Sequence, residues 1–408
     1  MTAERVVVVG AGHAGGTLVA LLRQGGFTGE IVMIGAEEHL PYHRPPLSKS
    51  FGDDEPEQWL RDAIFYPENG ITTRLGETVT AIDRQTKTVR LSSGSHEAYD
   101  VLVIATGAEP RRLPLPGEGL EGIHTLRTLA DAGALRDAVA SGRPLAIIGG
   151  GYVGLEVAAA ARSRGVDVTV IEREDRVLAR VASPMLSDLL SEHHRAQGTR
   201  ILTGAQIAGF VCDRGRVGGV SLADGTEIGC ASALVGVGAV PNDSLAREAG
   251  LTCAGGIAVD ELTRTDDPSV LAIGDVTNRP VDGVSFNGGR MRLESIPSAI
   301  EQAKQATATI LGSSRGKPEV PWFWSDQFDL KVKIAGIVHG DFETAVRGDT
   351  SSGSYSLFHH SSGCLIAAET VNSPKDFMAA KRILAAGGQI DPRKLVDTAI
   401  SLRDLTAA

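Results

Sequence analysis

Cysteine is scarce in this sequence, and the few cysteines lie far apart. The 408 residues include four of them, Cys212, Cys230, Cys253 and Cys364. No two have the spacing of a Cys-x-x-Cys motif, of zinc ligands or of iron–sulfur ligands. We therefore expect no disulfide framework and no metal site, and we predict that the thiols are reduced, buried and inert.

Positive charge and long apolar runs are also limited. Lys and Arg number 40 against 50 Asp and Glu, and the net charge of −10 argues against nonspecific binding to nucleic acid. No apolar run is long enough to cross a bilayer, and the N-terminus has no signal-peptide pattern. The sequence predicts a soluble, cytoplasmic protein of about two to three domains, with neither nucleic acid nor a membrane as its partner.

Glycine, by contrast, is abundant, and its first cluster has an ordered spacing. The β-branched run Val6–Val9 leads into Gly10-x-Gly12-x-x-Gly15, and an apolar-periodic segment continues to Gln24. This order predicts a strand, a tight turn and a helix whose backbone N–H groups and positive end point at a pair of phosphates. One copy of the pattern is weak evidence, because a glycine-rich chain produces it by chance.

A second copy of the pattern makes chance a poor explanation. Residues 144–148 lead into Gly149-x-Gly151-x-x-Gly154, and the next strand ends at Glu172, about 20 residues after the glycines. A carboxylate there accepts from a free ribose 2′-hydroxyl and repels a 2′-phosphate, which favours NADH over NADPH. Arg173 and Arg176 lie nearby and could accept a phosphate, so the preference stays open.

The strand that follows the first glycine turn is also followed by acidic residues. Residues 30–34 are apolar and β-branched, and Glu37 and Glu38 come shortly after them. Either carboxylate could hold a ribose hydroxyl of a nucleotide. The alternative is an ordinary solvated turn.

Two loops have the composition of ligand-binding segments. Tandem prolines stiffen the loop from Arg44 to Lys49, whose cations suit an anionic or electron-rich ligand, although they could equally be solvated. The buried strand 99–104 runs into Ala105-Thr106-Gly107, where small side chains allow close approach of a ligand or of another backbone segment.

The segment 265–275 predicts a further strand that ends in Gly274-Asp275, where a carboxylate could hold the ribityl hydroxyls of a flavin. A helix with an early proline then begins near Ser295 and Ile296, and its positive end could face a flavin edge that gains negative charge.

Beyond about residue 318 we predict a third, α+β domain, with β segments at 330–338, 343–347, 354–359 and 363–371 and a helix at 374–386. Its aromatic cluster, residues 321–327, predicts that Trp322 and Trp324 are core residues at a domain seam; the alternative is that one of them faces the flavin or a docking partner.

With these motifs together, the chain resembles the two-dinucleotide-fold flavoprotein disulfide reductase superfamily. Within it, the chain is similar to the bacterial FAD-dependent NADH:ferredoxin reductases of the putidaredoxin reductase type, which serve cytochrome P450 and ring-hydroxylating dioxygenase systems. The resemblance covers nearly the whole chain. Its carriers are the two glycine motifs, Ala105-Thr106-Gly107, Arg44 to Lys49, residues 236–242, residues 272–275, Glu294 to Pro297 and Pro321 to Gln327.

The resemblance implies an α/β protein with two Rossmann-like dinucleotide-binding domains, as in glutathione reductase, and a C-terminal α+β domain. The implied FAD-binding domain comprises residues 1–109 and 240–318. The NAD-binding domain would be residues 110–239, and the C-terminal domain residues 319–408.

The motifs and the resemblance together define the cofactor-binding residues that we expect. For bound FAD these are Gly10, Gly12, His13, Ala14, Gly15, Glu37, Arg44, Lys49, Val79, Ala105, Thr106, Gly107, Arg127, Gly274, Asp275, Ser295, Ile296 and Trp324. For NADH they are Gly149, Gly151, Tyr152, Val153, Glu156, Glu172 and Gly238.

The implied reaction passes electrons from NADH through FAD to a [2Fe–2S] ferredoxin, with Lys49 and Glu156 as the catalytic residues. Residues 40–51 contain no Cys, so the thiol chemistry of the superfamily is disfavoured. The alternatives are an NADH-dependent rubredoxin or quinone reductase, or a flavin redox-sensing module. We expect a monomer or a weak homodimer.

Overall fold

The structure of the protein is a computed structural model that describes residues 3–50, 58–282, 284, 287–314 and 316–406. Residue 51, at the end of the cysteine-free loop, lies outside them. The described residues fall into two compact units. The first unit draws on residues 1–43, 57–109 and 240–319, and the second on 44–56, 110–239 and 320–408. The domain boundaries expected from the sequence stay a prediction.

The α-helices of the described residues range from single turns to four turns. In chain order they are α1 His13–Gln24, α2 Pro46–Lys49, α3 Phe65–Glu68, α4 Leu129–Ala140, α5 Tyr152–Arg162, α6 Pro184–Ala196, α7 Ser244–Glu248, α8 Ile296–Leu311, α9 Pro374–Ala385 and α10 Pro392–Val396. Short 3₁₀ turns lie at Asn287–Gly289, Thr350–Ser352 and Asp404–Thr406.

The strands are mostly short. In chain order they are β1 Arg5–Val9, β2 Glu30–Gly35, β3 Ile71–Leu75, β4 Val79–Asp83, β5 Thr88–Leu91, β6 His96–Ala98, β7 Val101–Ile104, β8 Ala108–Pro110, β9 Ile123–His124, β10 Leu145–Ile148, β11 Val168–Ile171, β12 Arg200–Leu202 and β13 Ile207–Asp213. They continue with β14 Arg216–Leu222, β15 Glu227–Gly229, β16 Ser232–Val235, β17 Ala239–Pro241, β18 Ile257–Ala258, β19 Val270–Ala272, β20 Thr277–Pro280, β21 Arg290–Met291, β22 Trp322–Gln327, β23 Leu330–Gly336, β24 Glu343–Asp349, β25 Ser354–Ser361 and β26 Cys364–Val371.

The first unit is built on a parallel sheet whose faces are both covered. The strand order is β19-β7-β1-β2-β3, and the pairs are parallel. Val6 and Val8 pack in one core with residues of α1 and α8, while Val7 and Val9 pack in a second core with β4 and β5. Because successive side chains of a strand point to opposite faces, burial on both faces explains the unbroken apolar run of β1.

The second unit contains a parallel sheet and an antiparallel sheet that share a core. The parallel order is β12-β11-β10-β16-β9, and the antiparallel order is β22-β23-β26-β25-β24. Leu155 of α5 and Ile147 of β10 lie in the same buried cluster as Val332 of β23 and Leu357 of β25. The C-terminal residues therefore complete the core of this unit. The predicted fold class, with two Rossmann-like folds and an α+β C-terminal part, is confirmed.

A buried carboxylate joins the C-terminal sheet to α6. Glu369 of β26 accepts from the backbone N–H of Ser183 at 2.8 Å and from the Ser183 hydroxyl, and its Oε2 lies 2.9 Å from His359 Nε2. Ser183 is the N-cap of α6 and itself accepts from the N–H of Leu186 at 3.2 Å. Glu369 and His359 have no exposed surface. The start of α6 is thus fixed by a side chain from the C-terminal sheet.

Local turns account for the differences from the predicted elements. The predicted strand 265–275 is only Val270–Ala272, because Thr265, Asp267 and Ser269 hold the preceding residues in a turn through side-chain hydrogen bonds. The segment 322–327, which the sequence predicted only as an aromatic cluster, forms β22.

The cysteines differ in part from the expectation that all are buried. Cys212 is exposed and Cys253 and Cys364 are half-buried, whereas burial raises the pKa of the Cys230 thiol to about 11. All four are free thiols. Within the described ranges, no group of three or more His, Cys, Asp or Glu residues is placed to hold a metal ion. No described helix is both long enough and apolar enough to cross a membrane.

The close turn at Gly154 predicts a large effect of a single methyl group. In Gly154→Ala the added Cβ would lie 2.3 Å from the carbonyl oxygen of Gly149, so the backbone must move. We expect the free energy of unfolding to fall by about 1–3 kcal/mol, as for other overpacked sites. Urea unfolding followed by circular dichroism measures this. The control is Gly229→Ala, where an added Cβ meets nothing within 4 Å; equal effects of the two substitutions would contradict the prediction.

Candidate functional site

The first glycine turn leaves an open helix end. A Cβ on Gly10, whose φ is +121°, would lie 2.2 Å from the carbonyl oxygen of Ala105, and one on Gly15 would lie 2.0 Å from the carbonyl oxygen of Gly10. Gly12, the N-cap of α1, faces open space and provides no side-chain cap. Two glycines therefore permit close packing, and the third leaves open space at a helix N-terminus, which fits the diphosphate of a dinucleotide.

The second glycine turn repeats this geometry. Gly149 has φ +105°, and its Cβ would lie 2.4 Å from the carbonyl oxygen of Gly236. Gly151, the N-cap of α5, again faces open space and has no side-chain cap. Gly238, a predicted NADH contact, also has a positive φ of +101°, and its carbonyl accepts from the N–H of Arg111 at 2.9 Å. The second unit thus has its own open, uncapped helix end for a diphosphate.

Small residues fix the backbone beside the first glycine turn. Thr106 Oγ1 donates to the carbonyl of Asn242 at 2.8 Å, and Asn242 Nδ2 donates back to the carbonyl of Thr106 at 3.0 Å. Gly107 accepts from the N–H of Asn242 at 3.0 Å and has φ +68°. Ala105, Thr106 and Gly107 therefore lie in a pinned turn against Gly10.

The Gly274–Asp275 turn also lies at the start of α1. A Cβ on Gly274, whose φ is +82°, would lie 3.0 Å from the Cβ of Ala14. The N–H of Gly274 donates to Gln302 Oε1 on α8 at 3.1 Å. This brings Asp275, which is half-buried, to the same end of the sheet as the glycine turn. A carboxylate in this place fits the hydroxyl groups of a flavin nucleotide.

Other expected FAD contacts of the first unit have defined structural partners. Glu37 is half-buried and accepts from the Tyr42 hydroxyl at 2.7 Å, whereas Glu38 is exposed. Val79 is buried at the start of β4. Ser295 is the N-cap of α8 and accepts from the N–H of Ser298 at 3.2 Å; Ile296 is the first residue of that helix.

His13 begins α1, and its ring lies 4.9 Å from the ring of His43. The remaining expected FAD contacts belong to the second unit. They are Arg44, Lys49, Arg127 and Trp324.

Glu172 lies directly against the second glycine turn. Its Oε2 accepts from the N–H of Gly150 at 2.6 Å, and its Oε1 accepts from the N–H of Glu174 at 2.9 Å. Arg176 donates to Ser187 Oγ at 2.7 Å and to two backbone carbonyls, and Arg173 pairs with Glu174 at 2.7 Å. Both guanidinium groups thus have protein partners, and the carboxylate is hydrogen-bonded directly to the turn.

Lys49 and Glu156 are brought together as a buried ion pair. The Lys49 ammonium donates to Glu156 Oε1, and Asp326 Oδ2 lies 3.5 Å from the same ammonium. The side chain of Glu156 is 5% exposed and that of Lys49 17%. Glu156 is in the second turn of α5, immediately after the glycine motif, so the pair lies at the helix that begins the second dinucleotide site.

Two hydroxyl groups complete the surroundings of Glu156 and were not assigned a role from the sequence. Ser48 Oγ donates to Glu156 Oε2, and Ser325 Oγ donates to Glu156 Oε1 at 2.6 Å. Both serines lie in motifs that carry the family resemblance, and this is the signal that could have found them. The charge of Glu156 is therefore balanced by one ammonium and two hydroxyl donors.

Tyr152 and Val153 form the apolar start of α5. The ring of Tyr152 lies 4.6 Å from that of Phe323, and its hydroxyl is buried without a hydrogen-bond partner among the described residues. Burial raises the pKa of Tyr152 well above its usual value, so the phenol stays neutral. Val153 is 43% exposed, which leaves an apolar surface at the mouth of the helix.

In the second unit, the arginine and tryptophan residues expected to contact FAD make contacts with other protein groups. Arg44 donates to the backbone carbonyl of Arg127, whose own N–H donates to Asp131 at 2.9 Å at the start of α4. Trp324 is half-buried with its ring 5.5 Å from Trp322. Trp322 is likewise half-buried, and its ring lies 5.4 Å from that of Phe377 on α9, so neither tryptophan is fully buried.

Two dinucleotide-binding folds with open glycine turns define a class of flavin- and pyridine-nucleotide-dependent oxidoreductases. The chain belongs to the pyridine nucleotide-disulphide oxidoreductase family, which it matches over residues 4–303, and residues 322–406 match the reductase C-terminal family. Members of the first family use FAD and a pyridine nucleotide, as the sequence predicted.

Several similar proteins within this class are named as ferredoxin reductases. A probable ferredoxin reductase, CtmF, of Castellaniella defragrans is 46% identical, with 98% of each chain covered. The ferredoxin–NAD(+) reductase subunit of the benzene 1,2-dioxygenase system of Pseudomonas putida is 38% identical over 100% of this chain and 98% of its own.

The crystal structure of the covalent putidaredoxin reductase–putidaredoxin complex matches with a TM-score of 0.94 and 35% identity, over 99% of this chain and 98% of that one. Homologues are ferredoxin reductases of cytochrome P450 and ring-hydroxylating dioxygenase systems. The resemblance predicted from the sequence is confirmed.

The buried pair predicts an unequal effect of removing one partner or both. Lys49→Met leaves the charge of Glu156 buried without its cation, and we expect a loss of about 3 kcal/mol in the free energy of unfolding. In Lys49→Met with Glu156→Gln the loss should be smaller by about 1 kcal/mol or more, because no uncompensated charge remains. Urea unfolding of the single and double variants measures the coupling. Lys331→Met, the same change at an exposed position, is the control; additive effects at residues 49 and 156 would disprove the coupling.

Proposed function

We propose that the protein passes electrons from NADH through bound FAD to a [2Fe–2S] ferredoxin, which feeds a cytochrome P450 or a ring-hydroxylating dioxygenase. The observation that carries the proposal is the pair of open, uncapped glycine turns in a chain without cysteine at residues 40–51. Without a thiol pair in that loop, reducing equivalents leave to an external acceptor. FAD supplies the required chemistry when bound, because a flavin takes up two electrons together and releases them one at a time.

The first unit contributes groups that hold the FAD nucleotide. The backbone N–H groups at the start of α1, beside Gly12, bind the diphosphate, and the positive end of α1 favours its negative charge. The Asp275 carboxylate, at the same end of the sheet, accepts from ribityl hydroxyls. Glu37, oriented by the Tyr42 hydroxyl, accepts from the adenosine ribose.

The second unit contributes groups that hold NADH. It also contributes Lys49, whose ammonium stabilises negative charge. The N–H groups at Gly151 bind the diphosphate, and Glu172 accepts from the adenosine ribose 2′-hydroxyl. Glu156 orients the carboxamide of the nicotinamide. Lys49, held by Glu156, would supply a positive charge that stabilises the negative charge gained on reduction, and its low exposure would strengthen that interaction.

A cytoplasmic location and a monomeric or weakly dimeric state belong to the same proposal. They agree with an electron carrier that meets a separate ferredoxin molecule. Light scattering of the purified holoenzyme over a range of concentrations measures the oligomeric state, and a tight, concentration-independent oligomer would contradict it.

The functional assay compares NADH with NADPH as donor and a panel of [2Fe–2S] ferredoxins as carriers, with cytochrome c as terminal acceptor. We expect rapid reduction of the flavin by NADH, slow reoxidation by air and rapid reoxidation by a cognate ferredoxin. If rubredoxin or a quinone reoxidises the flavin and no ferredoxin does, the result favours a rubredoxin or quinone reductase instead. Failure of NADH to bleach the flavin would overturn the proposal and favour a sensing role.

Glu172 should control the choice between NADH and NADPH. Glu172→Gln keeps an oxygen for the N–H of Gly150 but removes the charge that repels a 2′-phosphate. We expect kcat/KM for NADPH to rise about tenfold relative to that for NADH, which corresponds to about 1.4 kcal/mol. Steady-state assays with both nucleotides measure this ratio. Asp188→Asn removes the same charge from an exposed position of α6; a similar change in that control would attribute the effect to net charge alone.

A further inference from the structure

A line of buried hydrogen bonds leads from Glu156 to a histidine that has no role in the proposed function. Beyond Ser325, which donates to Glu156, Gln327 Nε2 donates to Ser325 Oγ at 3.1 Å, and Gln327 Oε1 lies 2.9 Å from His194 Nε2. Ser325, Gln327 and His194 have no exposed surface. These residues therefore form one continuous, water-excluded connection between α5, β22 and α6.

The carboxylate sets the direction of every bond in this line. An ionised carboxylate only accepts, so the Ser325 hydroxyl donates to it and accepts from the side-chain amide N–H of Gln327. The amide oxygen of Gln327 then faces the ring, and His194 Nε2 carries the hydrogen that it accepts. Burial, the main cause, lowers the pKa of His194 to about 4, so the ring is neutral with a single proton at neutral pH.

Packing alone does not account for a histidine in this place. Its other ring nitrogen, Nδ1, is buried and has no hydrogen-bond partner among the described residues. A buried polar atom without a partner lowers stability, and an apolar side chain against the ring of Phe328, 5.0 Å away, would avoid that loss. What distinguishes histidine here is the hydrogen that it gives to Gln327.

We propose that His194 is a positioning residue for the reaction, because through Gln327 and Ser325 it fixes the orientation of the Glu156 carboxylate that pairs with Lys49. The inference rests on the proposed function, in which Glu156 orients the nicotinamide. Hydrogen bonds in series polarise one another, and the bond that ends on a charge is the strongest of them. Removing the donor at the far end therefore loosens the carboxylate at the near end.

Holoenzyme variants at both ends of the line test this through stopped-flow reduction of the flavin by NADH. His194→Leu and Ser325→Ala should each lower the limiting rate constant about tenfold, the equivalent of one hydrogen bond to a charged group, with a smaller change in the apparent affinity for NADH. His194→Gln and Ser325→Thr retain a donor and should stay within about twofold of the unmodified protein. His193→Gln, on the neighbouring residue outside the line, is the matched control and should leave the rate unchanged.

A second measurement does not depend on turnover. Nuclear magnetic resonance of the holoenzyme with ¹⁵N-labelled histidine reports the protonation of each ring nitrogen. We expect His194 to be neutral with its hydrogen on Nε2 at neutral pH. Glu156→Gln should shift the His194 signals although the two residues are not in contact, and it should leave those of His193 in place.

The outcomes separate this inference from the proposed function. If NADH does not reduce the flavin of the unmodified protein, the proposed function fails, while the resonance measurement still tests the line. If NADH does reduce it but Ser325→Ala and His194→Leu behave like His193→Gln, the inference is overturned. A proton on Nδ1, or His194 signals that Glu156→Gln does not move, overturns it as well. If His194→Leu does not fold, the resonance measurement on the unmodified protein and on Glu156→Gln decides.

Discussion

The second unit depends on the negative charge of Glu156, which the fold places almost entirely out of water. An ionised carboxylate in such a place is tolerated only when nearby donors replace its hydration. Here the replacements come from two separate stretches of chain, Ser48 and Lys49 of α2 and Ser325 of β22. The helix α2, the helix α5 and the strand β22 must therefore meet correctly for the charge to be stable, and the same requirement sets the geometry of the site.

Glycine turns impose the other constraint, which is steric. In both turns, one glycine lies under a crossing backbone carbonyl and another lies against the carbonyl of the first. The glycine between them faces open space at a helix N-terminus. The close contacts leave no room for any side chain, and the open position leaves the N–H groups available for phosphate. A short sequence pattern thus specifies both the packing of a strand against a helix and the place where a dinucleotide binds.

The features that the sequence predicts well are those determined by neighbouring residues. The glycine turns, the apolar parallel strands and the short β segments after residue 330 are local patterns of this kind, and they sufficed for the fold class. The hydrogen bonds of Ser325 and Gln327 could not be derived from neighbouring residues, because their partners Glu156 and His194 are distant in the chain. The resemblance marked only the segment that contains them. The shortened strand before Gly274 was missed for another reason, since side-chain hydrogen bonds in the turn outweigh its apolar pattern. The exposure of Cys212 likewise follows from its position at the end of β13 and not from residue type.

The hydrogen bond that Ser183 donates to Glu369 limits how segments can be exchanged between related proteins. The last strand of the C-terminal sheet supplies the acceptor at the first turn of α6, and the two sheets of the second unit share one core. A C-terminal segment transplanted from another reductase would bring foreign side chains to both places. A chimaera of two such proteins should therefore take residue 183 and the C-terminal sheet from the same parent. Otherwise both parents must have a carboxylate at position 369 and a hydroxyl at position 183. Natural or engineered chimaeras that respect this pairing keep α6 anchored, and with it the interior of the second unit.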